Sequence, residues 1–321
     1  MTSNPTRTIV LMPLFNDWAS ADSLLVDLDN ALAGREMFPE VLIVDDGSTL
    51  PMPPGFAVRE FKTIRSVDIL ELRRNLGHQR AIAVGIVYIH ENLPCTSVVI
   101  MDADGQDRPS DIPALAAAFE NENGRAIIFA ARAKRLENLL FRTLYHVYRL
   151  LHWLLTGDAV RVGNFSMVPF ESVKKLVVIP EIWNHYAAAA IRSRLAFKTI
   201  PIPRGRRITG GSKMNFIGLL LHGLSAFFVY GDIDGARLLV GIAIALLVQA
   251  VVVIAGLSIY LTESLGPVGL AAVIAGILGI FLIQTIPVAL ILVFTVVGSR
   301  ATIGVVPLRD CPYFISGVRR L

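Results

Sequence analysis

Residues 99–111 read VIMDADGQDRPSD, an apolar run that ends in carboxylates. Asp102, Asp104 and Asp107 lie in one short segment, with Gln106 between the last two. That much negative charge at the end of a buried strand needs a partner. Carboxylates one residue apart, where a strand runs out, can converge on a hard divalent cation. Mg²⁺ and Mn²⁺ prefer oxygen ligands and are often shared between carboxylates and substrate phosphates. Gln106 can add an amide oxygen or hold a metal-bound water. The same string also suits a plain turn with a helix cap, because Asp and Gly favour both. A second acidic pair, Asp45–Asp46, closes the apolar run "VLIV".

Basic residues form a separate set. Arg132 ends the run "IIFAARA", and Arg207 and Lys213 precede the apolar stretch "FIGLLLHGLSAFFVY". Between them, Asn138, Arg142, His146, Arg149 and His152 recur every three or four residues. That spacing puts one polar stripe on an otherwise apolar helix over 136–156, the pattern of a helix lying in a membrane interface. Arg149 there equally suits anionic lipid headgroups. His146 and His152 read as interfacial surface residues, and Tyr145, Tyr148 and Trp153 as membrane-belt anchors.

The elements that must carry these residues read as α/β. "TIVLMPLF", "EVLIVDDGS", "VDILELRRN", "SVVIMDADG" and "AIIFAARA" are short β-branched runs that stop at polar or turn residues. Helical stretches lie between them, at Ala21–Leu32, Gln79–His90 and Asp111–Asn121. Strands alternating with helices indicate a mostly parallel sheet, whose ligands collect outside the carboxyl ends of the strands. No GxGxxG turn follows the first strand and no GxxxxGK[ST] occurs, which disfavours dinucleotide and P-loop binding. Nothing calls for nucleic acid.

Composition adds a membrane. The 321 residues are 54% hydrophobic and 17% charged, with net charge +4, and mean hydropathy is +0.58. The excess is concentrated in Leu238–Leu261 and Val268–Val297, which contain no charged residue. Each run exceeds the roughly 20 residues that cross a bilayer as a helix. A buried soluble hairpin is the plainer alternative, but soluble helices are seldom this long and wholly uncharged. The connection "TESLGP" carries only Glu263, while Arg237 flanks one side and Arg300, Arg309, Arg319 and Arg320 the other. Positive flanks favour the cytoplasm. Both ends are therefore expected inside the inner (plasma) membrane, with the N-terminal domain cytoplasmic. "MTSNPTRTIVLMPLF" has too short an apolar core for a signal peptide. Cys95 and Cys311 suggest neither a disulfide framework nor a metal spacing. Gly256, Gly276 and Gly279 permit close helix packing, and with it a homo-oligomer. The expected organisation is an α/β domain over 1–213, a juxtamembrane amphipathic segment over 214–235, spans at 238–261 and 268–297, and a cytoplasmic tail over 298–321.

"MPLFND", "VDDGS", "RNLGHQRA", "MDADGQD" and "RRITGGSK" occur in this order. Together they resemble the inverting GT-A glycosyltransferases that act on polyprenyl phosphate, such as dolichyl-phosphate mannose synthases and bacterial polyprenyl-phosphate sugar transferases. The resemblance covers roughly residues 8–215, and the paired C-terminal spans fit the bacterial branch. It implies a Rossmann-like GT-A domain. Pro13, Phe15 and Asp17 would line the nucleotide pocket, and Val44 and Asp46 would contact nucleobase and ribose. Asp102, Ala103, Asp104 and Gln106 would form the diphosphate site, with Asp102, Asp104 and Gln106 on Mg²⁺ or Mn²⁺. Arg132 and Arg142 would hold the lipid phosphate and count with Asp104 as catalytic, while Arg207 and Lys213 would hold phosphate groups. Asp17 is shorter than the family's Glu and Phe15 lacks a phenolic hydroxyl, which leaves a UDP- or GDP-linked donor open. Gly163-Asn164-Phe165-Ser166 stands where many bacterial relatives have Gly-Asp-Phe-Arg, and Asn164 cannot act as a carboxylate base.

The expected chemistry follows from the acceptor. A lipid phosphate oxygen is already anionic and needs little general-base help, whereas a hydroxyl acceptor needs a carboxylate nearby. No QxxRW string of processive synthases is present, which favours transfer of a single sugar. Transfer to another lipid or glycan, and a catalytically silent membrane adaptor on the same fold, are the alternatives. An ion path is disfavoured by the uncharged spans.

Overall fold

The computed structural model describes residues 7–132, 162–203, 205 and 304–321, together with helical residues within 243–288. The expected interfacial helix over 136–156, the segment 214–235, and Arg142, Arg207 and Lys213 lie outside the described residues. The described residues fall into two compact units, one holding the α/β residues with 304–321 and the other the helical residues of 243–288.

The first unit is built on β1 (Thr8–Leu14), β2 (Glu40–Asp45), β3 (Ser66–Leu72), β4 (Ser97–Ile100), β5 (Ile127–Arg132), β6 (Val162–Pro169), β7 (Phe197–Ile202) and β8 (Ile315–Arg320). They form one sheet of order β7-β5-β6-β4-β1-β2-β3-β8. The pairs β1–β2, β1–β4, β2–β3 and β5–β7 are parallel, while β6 and β8 run antiparallel to their neighbours. The sheet is thus mostly parallel, as the alternation of strand and helix implies.

Among the described helices that cover it, the three longest are α1 (Trp18–Leu32), α2 (His78–Asn92) and α3 (Ile112–Asn121). Every residue of β1 is buried, so it reads as a continuous apolar run with a covered face on both sides. Its side chains alternate. Val10, Met12 and Leu14 join Leu24, Leu25 and Leu28 of α1 and Leu115 and Phe119 of α3 in one core. Leu11 points the other way, toward α2. At Gly85 of α2 a Cβ would lie 2.4 Å from Leu11 Cδ1 and 2.9 Å from Val44 Cγ2. The glycine is what lets α2 rest on the sheet.

This wiring creates the crevice. The chain steps from β1 to β2 to β3 in one direction, and α2 then carries it back to β4 on the far side of β1. Strand order reverses between β1 and β4, and ligands of open α/β sheets bind outside the strand ends at such a point. The loops after β1 and β4 flank it.

Residues 304–321, within the tail expected over 298–321, fold with this unit. β8 closes the edge of β3, with Arg319 on Glu71 at 2.6 Å. Phe314 stacks near Trp183 with ring centroids 5.2 Å apart, and its carbonyl accepts from Arg73 N at 2.9 Å. Covering an edge strand removes a template for unwanted pairing.

Among the described residues no helix is long and apolar enough to cross a membrane. The described helical residues of the second unit nevertheless turn apolar side chains outward, with Leu247 and Ile254 each 67% exposed. A Cβ on Gly256 would lie 3.8 Å from Val273, whereas Gly276 and Gly279 have nothing within 4 Å.

Candidate active site

One wall of the crevice is made by the loops after β1, β2 and β3, which are bonded to one another. Asn16 adopts a left-handed conformation (φ 53°) that asparagine tolerates. Its backbone N–H donates to Ser48 Oγ at 2.9 Å, its Nδ2 to Thr49 Oγ1 at 2.9 Å, and its Oδ1 accepts from Leu50 N at 2.8 Å. Trp18 Nε1 adds a bond to the Leu50 carbonyl at 3.0 Å. The next contact needs a glycine. Gly47 has φ 66°, and a Cβ there would meet Arg74 C at 2.6 Å.

Asp46 joins the second loop to the third. Its carboxylate accepts from Leu76 N at 2.7 Å and Gly77 N at 2.9 Å, and it is buried. Burial pushes its pKa up, and the two N–H donors offset only part of that. Both oxygens are therefore engaged by the protein itself. Asp45 is half-buried and uses Oδ1 to accept from Ser48 N at 2.9 Å. Of the adjacent pair, Asp46 is the one whose two oxygens are spent on loop amides, and Asp45 is the more exposed. Pro13 is buried in β1 opposite Val44, whose side chain packs under α2. Phe15 is 40% exposed, and Asp17, the residue just before α1, accepts from Ser20 Oγ at 2.8 Å.

The opposite wall is the turn after β4. Asp107 is buried and its Oδ2 accepts from Asp102 N at 3.0 Å. Asp104 Oδ1 accepts from Gln106 N at 2.9 Å across Gly105, which has φ 83°. These bonds fold the acidic string back on itself. Ala103 is buried beneath them. Behind the turn, Arg108 forms a two-pronged pair with Asp111, both bonds at 2.9 Å. Gly205 N donates to Gln106 O at 2.9 Å, and a Cβ on Gly205 would lie 2.7 Å from Gly105 O. The strand end that leads toward Arg207 and Lys213 is therefore docked on the acidic turn. Arg132 closes β5.

Asn164, which stands where many relatives have Asp, and His78, which lies within the "RNLGHQRA" string, meet beside the acidic turn. By the register Ile100↔Ser166, Asn164 lies beside the residues just past the end of β4. His78 starts α2, and its Nε2 is 3.1 Å from Asp102 Oδ1 and 2.9 Å from Asn164 Nδ2. One ring nitrogen serves one of these at a time: protonated it donates to Asp102, unprotonated it accepts from Asn164. Burial pulls the His78 pKa down, but the carboxylates of Asp102, Asp107 and Asp104 outweigh it and hold it above its ordinary value.

Among the described residues no group of three or more His, Cys, Asp and Glu side chains closes around one point. Two carboxylates at an open crevice nevertheless suit Mg²⁺ or Mn²⁺, which usually takes one or two carboxylates plus substrate phosphates and water.

An open, mostly parallel sheet with an acidic turn at its reversal point is the arrangement of a GT-A domain. The chain belongs to glycosyl transferase family 2, which it matches over residues 9–177. It is 24% identical over 233 residues to the undecaprenyl-phosphate 4-deoxy-4-formamido-L-arabinose transferase of Klebsiella pneumoniae subsp. pneumoniae, covering 68% of this chain and 66% of that one. Against the enzyme of the same name from Salmonella choleraesuis it is 24% identical, over 67% of this chain and 64% of that one. The chain thus spans slightly less than two thirds of the length of these relatives. Among solved structures, glucosyl-3-phosphoglycerate synthase from Mycobacterium tuberculosis with Mn²⁺, UDP-glucose and phosphoglyceric acid aligns at a TM-score of 0.50. That match has 16% identity and covers 72% of this chain and 80% of the other. The same enzyme with phosphoglyceric acid aligns at 0.51. These likenesses show the fold.

Proposed function

We propose that this protein transfers a single sugar, with inversion, from a nucleotide-sugar donor to a polyprenyl phosphate at a membrane face. The observation that carries the reading is the folded acidic turn, Asp102 to Asp107, at the reversal point between β1 and β4. Asp102, Asp104 and Gln106 would hold Mg²⁺ or Mn²⁺, and the metal would neutralise the leaving diphosphate. The loops after β1 and β2, with Phe15, Asp17 and Asp45, orient the UDP- or GDP-linked donor. Arg132, with Arg142, Arg207 and Lys213, supplies positive charge for the lipid phosphate and the diphosphate. An anionic phosphate oxygen needs alignment more than a base, and that suits an amide at Asn164. The related transferases named above carry undecaprenyl phosphate in their names, which supports this acceptor.

The same reading places 238–261 and 268–297 across the membrane as a hairpin, with the catalytic domain cytoplasmic. Ile202 and Gly304 belong to one folded unit, so the chain between them must cross an even number of times. The outward apolar side chains of 243–288 support a lipid contact.

The test is to incubate the purified full chain with radiolabelled UDP- and GDP-sugars, undecaprenyl phosphate and Mg²⁺ or Mn²⁺. Label entering the lipid phase with one donor class is expected. Label reaching only hydroxyl acceptors would move the assignment to another glycan or lipid, and no turnover of any donor would favour a silent adaptor.

A further inference from the structure

Beside the acidic turn runs a polar chain that neither the donor nor the acceptor reading uses. It begins at a backbone N–H, and that fixes its direction. Tyr186 N donates to Gln79 Oε1 at 2.8 Å. The other end of the same amide must then donate, and Gln79 Nε2 does so to Asn164 Oδ1 at 3.1 Å. Asn164 is oriented in turn, with Nδ2 facing His78 Nε2 at 2.9 Å. A backbone amide has only one polarity. Flipping either side-chain amide would set two donors or two acceptors face to face. A second path ties the same ends together: Ser166 Oγ donates to the Asn164 carbonyl at 2.8 Å and lies 2.9 Å from Tyr186 OH. Gln79, Asn164, Ser166 and Tyr186 are all buried, where a polar network is strongly specified only when every link is made.

We propose that Gln79 and Asn164 are positioning residues of the transfer reaction, a one-way amide relay that holds the His78 ring beside Asp102. This rests on the sugar-transfer reading above. The relay sets the place of a side chain at the reacting end of the crevice. It touches neither the loop after β1 nor the loop after β2, so its loss should slow transfer without loosening the nucleoside that those loops hold.

Two near-isosteric changes break the relay one link at a time. Gln79→Glu keeps the acceptor for Tyr186 N but removes the donor to Asn164. Asn164→Asp keeps the acceptor for Gln79 but removes the donor to His78. With the full chain in detergent micelles, each change should lower kcat about tenfold or more, with affinity for the nucleoside monophosphate, measured without metal, within about twofold of the wild type. Because the links act as one unit, the double variant should be no slower than the slower single variant. Proton NMR should show the His78 ring held in one orientation in the wild type, with nuclear Overhauser contacts to its neighbours that are lost or averaged in Gln79→Glu and Asn164→Asp. Unchanged kcat in both variants, additive losses, or parallel loss of thermal stability and nucleotide affinity would overturn the relay. A wild-type protein that transfers nothing to polyprenyl phosphate would overturn the functional reading instead. The ring contacts then decide the relay by themselves: loss of the fixed orientation in the variants supports it, and an unchanged orientation overturns it.

Discussion

Asp45 and Asp46 are adjacent in the chain yet meet different surroundings. Asp46 gives both oxygens to Leu76 N and Gly77 N, while Asp45 holds only Ser48 N and is half-buried. Asp46→Asn turns one acceptor into a donor facing a buried N–H, so unfolding free energy should fall by about 1–3 kcal/mol. Asp45→Asn should leave stability nearly unchanged and weaken nucleoside diphosphate binding, measured by calorimetry. A stable Asp46→Asn protein with weakened binding would reverse the assignment. His78 gives a pH signature. Its pKa is raised above 6.5 because Asp102, Asp107 and Asp104 outweigh burial. A raised histidine contributes stability that is complete below its unfolded value and is lost as pH rises through the folded one. Mg²⁺ on the same carboxylates removes the charge that holds the proton. Adding Mg²⁺ should therefore lower the His78 midpoint in an NMR titration, and metal binding should tighten as pH rises. Identical midpoints with and without Mg²⁺ would count against these carboxylates as the metal site.

At the scale of elements, the docking of Gly205 on the acidic turn is the most exposed claim. The atom a new Cβ would strike is the Gly105 carbonyl oxygen, a backbone atom that cannot swing away. Gly205→Ala should reduce transfer about tenfold or more while the melting temperature stays near that of the wild type. Wild-type rates in that variant would mean that the docked strand end does not shape the site. Much of this architecture was legible in the chain. β1 to β5 are apolar runs ending at turn residues, and α1 to α3 carry recurring Leu and Ala, so periodicity exposes both. β6 was not, because Asn164 and Ser166 interrupt its apolar face for the sake of the buried network. β7 reads "FKTIPI", mostly exposed and holding a proline. β8 is short, polar and separated from its partner β3 by most of the chain. The acidic turn was legible for the same reason that it is functional: a charge cluster after a buried strand has few other uses. The contacts among His78, Gln79 and Asn164 join residues about 85 apart, which no local spacing reveals. The same distance hides which of Asp45 and Asp46 is spent on loop amides.

At the scale of the molecule, the unit that holds Ile202 holds the chain again from Gly304, and β8 joins its sheet. Burial pushes the Cys95 and Cys311 thiols up to about 12, so neither offers appreciable thiolate near neutral pH. A new cysteine at Ser264, in the "TESLGP" connection, should then be the dominant reporter for an impermeant thiol reagent added to intact cells. Labelling is expected without lysis, and labelling only after lysis would contradict a cytoplasmic catalytic domain. The central claim, that the acidic turn drives sugar transfer to a lipid phosphate, is tested most directly by one assay. Radiolabelled sugar entering undecaprenyl phosphate is followed with saturating Mg²⁺ for the wild type and for Asp104→Ala, with the melting temperature of each measured alongside. The account predicts transfer by the wild type, and a loss of at least about a hundredfold in an Asp104→Ala protein that still folds. Near-normal turnover by that folded variant would contradict it.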